Sequence, residues 1–414
     1  MISTVDIKSC DIFCNVIDNY GDIGVCWRLS RQLVNEHRLK VRLWIDDLGS
    51  FARLCPEVDV ALGTQQCRGV EVRHWTDDTF RFFVPELSPG LSATLSRERE
   101  RINVASLVIE AFACKLPETY VAAMAAQVQQ PIWINLEYLS AEDWVESHHK
   151  LPSPHPILPL TKYFFFPGFT KRTGGVLLER DLLARRDVFQ GDAAQQQAFW
   201  KSLGMEMPGA ETLKISLFGY ENNALPGLFD AWVASAQTVL CLVPEGRILP
   251  QVRQYFDDTA PYVGKAYSRG NLQVRVLPFV EQERYDELLW ACDVNCVRGE
   301  DSFVRAQWAG RPCVWQIYPQ HDTVHLKKLQ AFLTLYCHRL GLSTRQAVTG
   351  LWQEWNTGGE AAGQLWAAFI AARSELDGHA RYWARQLAEN NLALNLLDFC
   401  QEIGRMRALE IEGQ

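Results

Sequence analysis

At 414 residues the chain is too long for one ordinary hydrophobic core, so two domains are expected. Hydrophobic residues make up 48% and charged residues 22%, which is ordinary for a globular protein and excludes extended disorder. The net charge of −8, with no Lys/Arg block, disfavours RNA or DNA as a partner but leaves an acidic partner protein open, because local charge decides docking.

The first residues carry no basic stretch followed by an apolar run and a cleavage site. No run reaches the roughly 18 apolar residues of a spanning helix, so a cytoplasmic location is expected. Strand patterns at 9–17, 41–45, 69–74, 106–109, 131–135 and 163–166 alternate with helical ones, beginning with a helix over 23–36. This alternation implies parallel βαβ units. The Pro-rich stretch 151–159 reads as irregular, and Pro167-Gly168 and Gly174-Gly175 place a boundary between about 170 and 190. A second series follows, with strands at 213–218, 238–242, 272–277, 293–297 and 312–315 and helices at 225–236, 281–290 and from Asp301. From about 322 onward the pattern is helical, and one late helix is expected to pack back on the first domain.

Twelve cysteines are scattered through apolar patterns with no CxxC, so buried free thiols are expected rather than disulfides or a zinc site. His148, His149 and His155 lie in the Pro-rich region without regular ligand spacing and read as surface residues.

Two strand–turn–helix segments carry the chemistry, since ligands in open α/β sheets bind at the carboxyl ends of strands. The first holds Asp18, Gly21, Asp22 and Gly24. Its GxxG lacks the dinucleotide fingerprint, so Asp46 after the second strand is a poor ribose-binding acid. The turn allows close backbone approach beside two acids; alternatively Asp22 only caps the helix and Asp18 ends the strand. The second segment holds Arg298, Glu300, Asp301 and Ser302, where helix N–H groups, a hydroxyl and an arginine suit a diphosphate. Two acids in that turn would repel an anion unless they point elsewhere; capping by Asp301 or Ser302, with Arg298 in a structural ion pair, is the alternative. Phe218, Tyr220, Phe279 and Gln282 follow neighbouring strands, where a ring can stack on a base and an amide can read its edge.

The stretches 17–29, 136–142, 166–169 and 298–307 resemble the bacterial elongation factor P arginine rhamnosyltransferases, and the likeness runs from the first strand to the last helices. The resemblance implies an α/β GT-B fold: two Rossmann-like domains facing a cleft, with C-terminal helices crossing back to the first. The implied division is 1–180 on the acceptor side, 181–385 for the nucleotide sugar, and 386–414 as the returning helix. It implies an inverting transferase moving L-rhamnose from dTDP-β-L-rhamnose, without metal or other cofactor, to one arginine of translation elongation factor P. That modification would activate the factor for rescue of ribosomes stalled on polyproline. By the same resemblance Asp22, Asp18 and Glu300 are catalytic, and Phe218, Tyr220, Phe279, Gln282, Arg298, Asp301 and Ser302 bind the donor. Another GT-B sugar-nucleotide enzyme, such as an epimerase or small-molecule transferase, would share the fold and pocket. A non-catalytic docking module would need no acids there.

Overall fold

The computed structural model describes residues 7–18, 20–76, 79, 104–258, 264–320 and 323–412. The chain divides into two compact units, Met1–Leu178 with Asn390–Gln414, and Glu179–Glu389.

The first unit is built on strands β1 (Ser9–Cys14), β2 (Lys40–Ile45), β3 (Thr64–Cys67), β4 (Val70–His74), β5 (Leu107–Ala111), β6 (Ile132–Leu136), β7 (Pro152–Pro154) and β8 (Thr161–Phe165). They form one sheet in the order β3-β4-β2-β1-β5-β6-β8-β7. The interior pairings are parallel, and only the edge pairs β3–β4 and β7–β8 are antiparallel. Every residue of β5 and β6 is buried, as expected of parallel strands covered on both faces.

Asp11 in β1 is fully buried yet held by several donors. Arg42 reaches it through Nε at 2.5 Å and Nη2 at 2.6 Å, and Ala105 N–H at 3.2 Å, Trp44 Nε1 at 3.4 Å and the Tyr120 hydroxyl also donate to it. A buried carboxylate survives folding only when its lone pairs are met in this way. Asp11 is therefore a structural acid. The terminal helix Leu392–Glu412 packs on the helix Gly21–His37 and on β6, and its Arg407 Nη1 donates to Gln130 O at 3.1 Å.

The second unit holds β9 (Leu213–Leu217), β10 (Val239–Pro244), β11 (Ala266–Arg269), β12 (Leu272–Leu277), β13 (Val294–Arg298) and β14 (Cys313–Gln316). Their order is β11-β12-β10-β9-β13-β14, parallel except for the edge pair β11–β12. The flanking helices Gln282–Ala291 and Asp301–Ala309 are joined by a buried ion pair. Arg305, fully buried, forks onto Asp286 at 2.7 and 2.6 Å and reaches Glu179 at 2.6 Å. After β14 come the helices Val324–Tyr336, Leu342–Thr357, Ala362–Ala371 and Arg373–Leu387. Two parallel-rich Rossmann-like sheets in one chain are the make-up of the GT-B class.

All twelve cysteines are buried and unpaired. Burial pushes the Cys55 and Cys337 thiols up to about 11, and Cys296 and Cys313 up to about 12, so these sulfurs stay protonated. Among the described residues no helix is long and apolar enough to cross a membrane, and no group of three or more His, Cys, Asp or Glu could hold a metal ion.

Two local expectations are corrected. Residues 152–154 are not irregular: they form β7, an edge strand where proline is tolerated because one side of the backbone is unpaired. His149 is not a surface residue. Its Nδ1 accepts the Phe166 N–H at 3.1 Å, and burial, with Lys150 beside it, lowers its pKa to about 4. His155 likewise pins its loop, its Nδ1 accepting the Leu158 N–H at 3.0 Å.

Candidate active site

In the first unit, β1 ends at Cys14 and the helix begins at Gly21, so residues 15–20 form the connecting loop. That loop is folded by carboxylates. Asp46, just after β2, accepts the Val16 N–H at 2.9 Å, which makes it a loop anchor. Asp22, in the first turn of the helix, accepts the N–H groups of Ile17 and Asp18 on Oδ2, both at 2.9 Å. Both bonds run backward to the loop, and the N-cap position belongs to Tyr20. The Gly21 N–H donates to Asp18 O at 2.6 Å, and the Gly24 N–H to Tyr20 O at 2.9 Å.

Gly21 leaves room for the Asp18 carboxylate. A Cβ at this position would stand 2.8 Å from Asp18 Oδ2, so any side chain would displace that carboxylate. Asp18 and Asp22 are thus brought together. Asp22 is 3% exposed, and burial raises its pKa. The two backbone N–H bonds and a hydroxyl bond from Tyr138 oppose that rise, while the charge of Asp18 adds to it. The result is a carboxylate fixed in orientation and made more basic than one at the surface.

In the second unit the candidate residues cluster at the carboxyl ends of β9, β12 and β13. Arg298 closes β13, and its guanidinium carbon lies 4.7 Å from the Phe218 ring centre and 4.4 Å from that of Tyr220. Both rings face a cation, a favourable arrangement in a site shielded from water. Phe218 is half-buried, but Tyr220 is only 3% exposed, so its ring serves Arg298 more than the surface. The Tyr220 N–H donates to Gln316 Oε1 at 2.9 Å, which fixes the loop after β9 to the end of β14.

Gly299 takes φ 62°, a left-handed turn that favours glycine. It is held by its N–H to Gln316 O at 3.1 Å and by Trp315 Nε1 to its own carbonyl at 2.7 Å. Glu300 then occupies the N-cap of the helix Asp301–Ala309 without a side-chain cap bond. Asp301 is drawn sideways, its Oδ2 accepting from Gln282 Nε2 at 3.2 Å. Ser302 turns back on β13: its hydroxyl donates to Arg298 O and accepts the Arg298 N–H at 3.2 Å. Neither acid nor hydroxyl caps the helix in the way the capping alternative required. Phe279, after β12, is half-buried.

Reading the sequence alone overlooked Tyr138 and Gln316. Tyr138 lies within the stretch 136–142 but carried no local sign of a role, and Gln316 stands at a strand end that only the sheet order makes a neighbour of the candidate residues. Gln316 ends an apolar strand at a position whose partner across the sheet is Arg298, and that register is the one signal for it.

A model of the family described as "Elongation-Factor P (EF-P) rhamnosyltransferase EarP" matches residues 10–401. The chain is 51% identical over 393 residues to a protein-arginine rhamnosyltransferase of Pseudomonas putida, covering 94% of this chain and 97% of that one. It is 46% identical over 394 residues to the protein of the same name from Pseudomonas aeruginosa, with coverages of 95% and 99%. A solved structure reported under "Structural basis for EarP-mediated arginine glycosylation of translation elongation factor EF-P" superposes with a TM-score of 0.66 at 37% identity. It covers 95% of this chain and 99% of that one. The chain belongs to the EarP family of elongation factor P rhamnosyltransferases.

Proposed function

We propose that the chain transfers L-rhamnose from dTDP-β-L-rhamnose to a single arginine of translation elongation factor P, activating it for rescue of polyproline-stalled ribosomes. Family membership supports the reaction class. The observation that carries the chemistry is the buried Asp22 carboxylate, held by two N–H groups at 2.9 Å within the loop that bears the family motif.

An arginine side chain is a poor nucleophile because its lone pairs are delocalised and it stays protonated, with a pKa above about 12. Asp22 would orient one guanidinium nitrogen and take its proton as the C–N bond forms. A carboxyl whose pKa is raised by burial is better suited to that step than a surface one. Asp18 would hold the remaining N–H groups, and Glu300 would serve as the second catalytic carboxylate. As the bond to nitrogen forms, the bond from the anomeric carbon to the dTDP oxygen breaks. Its electron pair leaves with the diphosphate, and attack from the opposite face gives an α-linked rhamnose.

The leaving charge would be met by Arg298 and by N–H groups at the start of the helix Asp301–Ala309, with no metal required. Phe279 and Phe218 would flank the thymine, and Gln282 would read its edge. Tyr220, Asp301 and Ser302 would shape that pocket through Arg298 and Gln282. The test is to incubate the purified chain with dTDP-β-L-rhamnose and elongation factor P and weigh the intact factor. A gain of one deoxyhexose on one arginine is expected. No gain, with the donor shown to bind, would send the search to another acceptor.

A further inference from the structure

In the second sheet β10 lies between β12 and β9. A ligand reaching from Phe279, after β12, to Arg298, at the end of β13, must therefore pass over the carboxyl ends of β10 and β9. The chain that follows β10 is Glu245-Gly246-Arg247. It is tied to the neighbouring strand, since the Glu245 N–H donates to Leu277 O at 3.0 Å. Gly246 lies against the Phe218 ring: a Cβ there would stand 3.0 Å from Phe218 Cε2. Arg247 is exposed, and its guanidinium carbon is 6.0 Å from the centre of the Tyr220 ring, the same ring that has Arg298 at 4.4 Å. Two arginines from different strand ends thus converge on one aromatic ring.

We propose that Arg247 is a further donor-binding cation, which meets the diphosphate together with Arg298. This rests on the reading of this unit as the dTDP-sugar site. A sugar nucleotide carries a negative charge on each phosphate, and another develops on the departing oxygen as the sugar leaves. Gathering two guanidinium groups at one ring suits an anion with more than one charge, whereas a neutral sugar or base would give them no charged partner. The two arginines are held differently. Arg298 is 4% exposed, carried by β13 and stacked on two rings. Arg247 stands in an exposed turn, so it reaches a phosphate without having been desolvated before the ligand arrives. Arg298 is then the preformed half of the phosphate site, and Arg247 the half that the ligand completes.

The test is calorimetry of dTDP and thymidine with the wild-type chain, Arg247→Gln and Arg247→Lys. Arg247→Gln should weaken dTDP by about tenfold, the scale of one charge-assisted hydrogen bond, and leave thymidine unchanged. Arg247→Lys should recover part of the loss, because the charge remains while the planar fork is gone. Binding of dTDP to Arg247→Gln should also depend less on salt, since one screened charge pair is missing. The side chain is exposed, so the melting temperature should not move, which separates these effects from a folding defect. A dTDP affinity in Arg247→Gln within about twofold of wild type overturns the inference. Equal losses for dTDP and thymidine overturn it too, because they would place Arg247 against the base rather than the phosphates. If the wild type itself binds no dTDP, the reading of the donor site fails and the assignment falls with it; a wild type that binds dTDP beside an unchanged Arg247→Gln sinks the assignment alone.

Discussion

Replacing Asp22 by Asn changes one oxygen for an N–H₂ group while leaving the shape of the side chain. The amide oxygen can take over the bonds from the Ile17 and Asp18 N–H groups, so the loop should hold. The proton acceptor is lost. General-base catalysis contributes about 10²–10⁴-fold, so turnover should fall by about 10³, or roughly 4 kcal/mol in the barrier. Donor affinity, assigned to residues of the second unit, should be unchanged by calorimetry. Stability should not fall. The folded-state pKa of Asp22 is raised, so its contribution to stability is fully present below the unfolded carboxyl value of about 3.9. That contribution is lost as pH rises through the folded value. At neutral pH the wild-type carboxylate is therefore a liability, and Asp22→Asn should melt at the same temperature or higher. Its advantage should shrink on acidification below the unfolded value. A near-wild-type rate in this variant removes Asp22 from the base role, and a large drop in melting temperature would show that the carboxylate itself builds the loop.

Three further perturbations test separate parts of the structure. Phe279→Ala should weaken dTDP-rhamnose binding by about 1–2 kcal/mol, the scale of one base–aromatic stack, with little effect on turnover at saturation; unchanged affinity by calorimetry would end the stacking assignment. Arg305→Ala should destabilise the second unit by about 3–5 kcal/mol in denaturant melts, because it strands the buried Asp286 and the partly buried Glu179. A loss below about 1 kcal/mol would mean those acids find other partners. Ala113→Gly should stabilise by about 0.5–1 kcal/mol, since residue 113 is exposed and held at φ 54°. A loss of stability there would show that the methyl group packs or that glycine frees the turn.

Much of the fold was legible because parallel strands are buried on both faces and so read as continuous apolar runs. β5 and β6 are of this kind, and the helix Gly21–His37 lies within two residues of its expected bounds. The strands left unread were β3, β7 and β11, the antiparallel edges of the two sheets. Each is three or four residues long and largely exposed, so neither a run nor an alternation marks it. The first strand was expected to reach residue 17 but stops at Cys14. Val16 and Ile17 beyond it are apolar, yet their N–H groups donate to Asp46 and Asp22, which folds them into a loop. That is a tertiary decision no local propensity contains.

The candidate site shows the same division between what a turn carries and what a sheet assembles. Sequence alone exposed a tension at 298–302: a turn suited to a diphosphate contains two acids. The folded chain eases it for Asp301, because Gln282 takes that carboxylate sideways at 3.2 Å and Ser302 turns back onto the β13 backbone. The Arg298 guanidinium lies against two rings, 4.7 and 4.4 Å away. Stacking on aromatic faces holds a guanidinium in place without consuming the N–H donors that a diphosphate would take. On the proposed reading, this explains why two aromatic residues follow β9 when one would suffice to stack a base. Phe218, half-buried, can serve both guanidinium and nucleotide, whereas Tyr220, buried and tied to Gln316, serves the guanidinium. The pocket's affinity for phosphate then depends on rings that need not touch it. Tyr220→Leu should accordingly weaken binding of dTDP more than of thymidine, and equal losses for both would place the ring on the base instead.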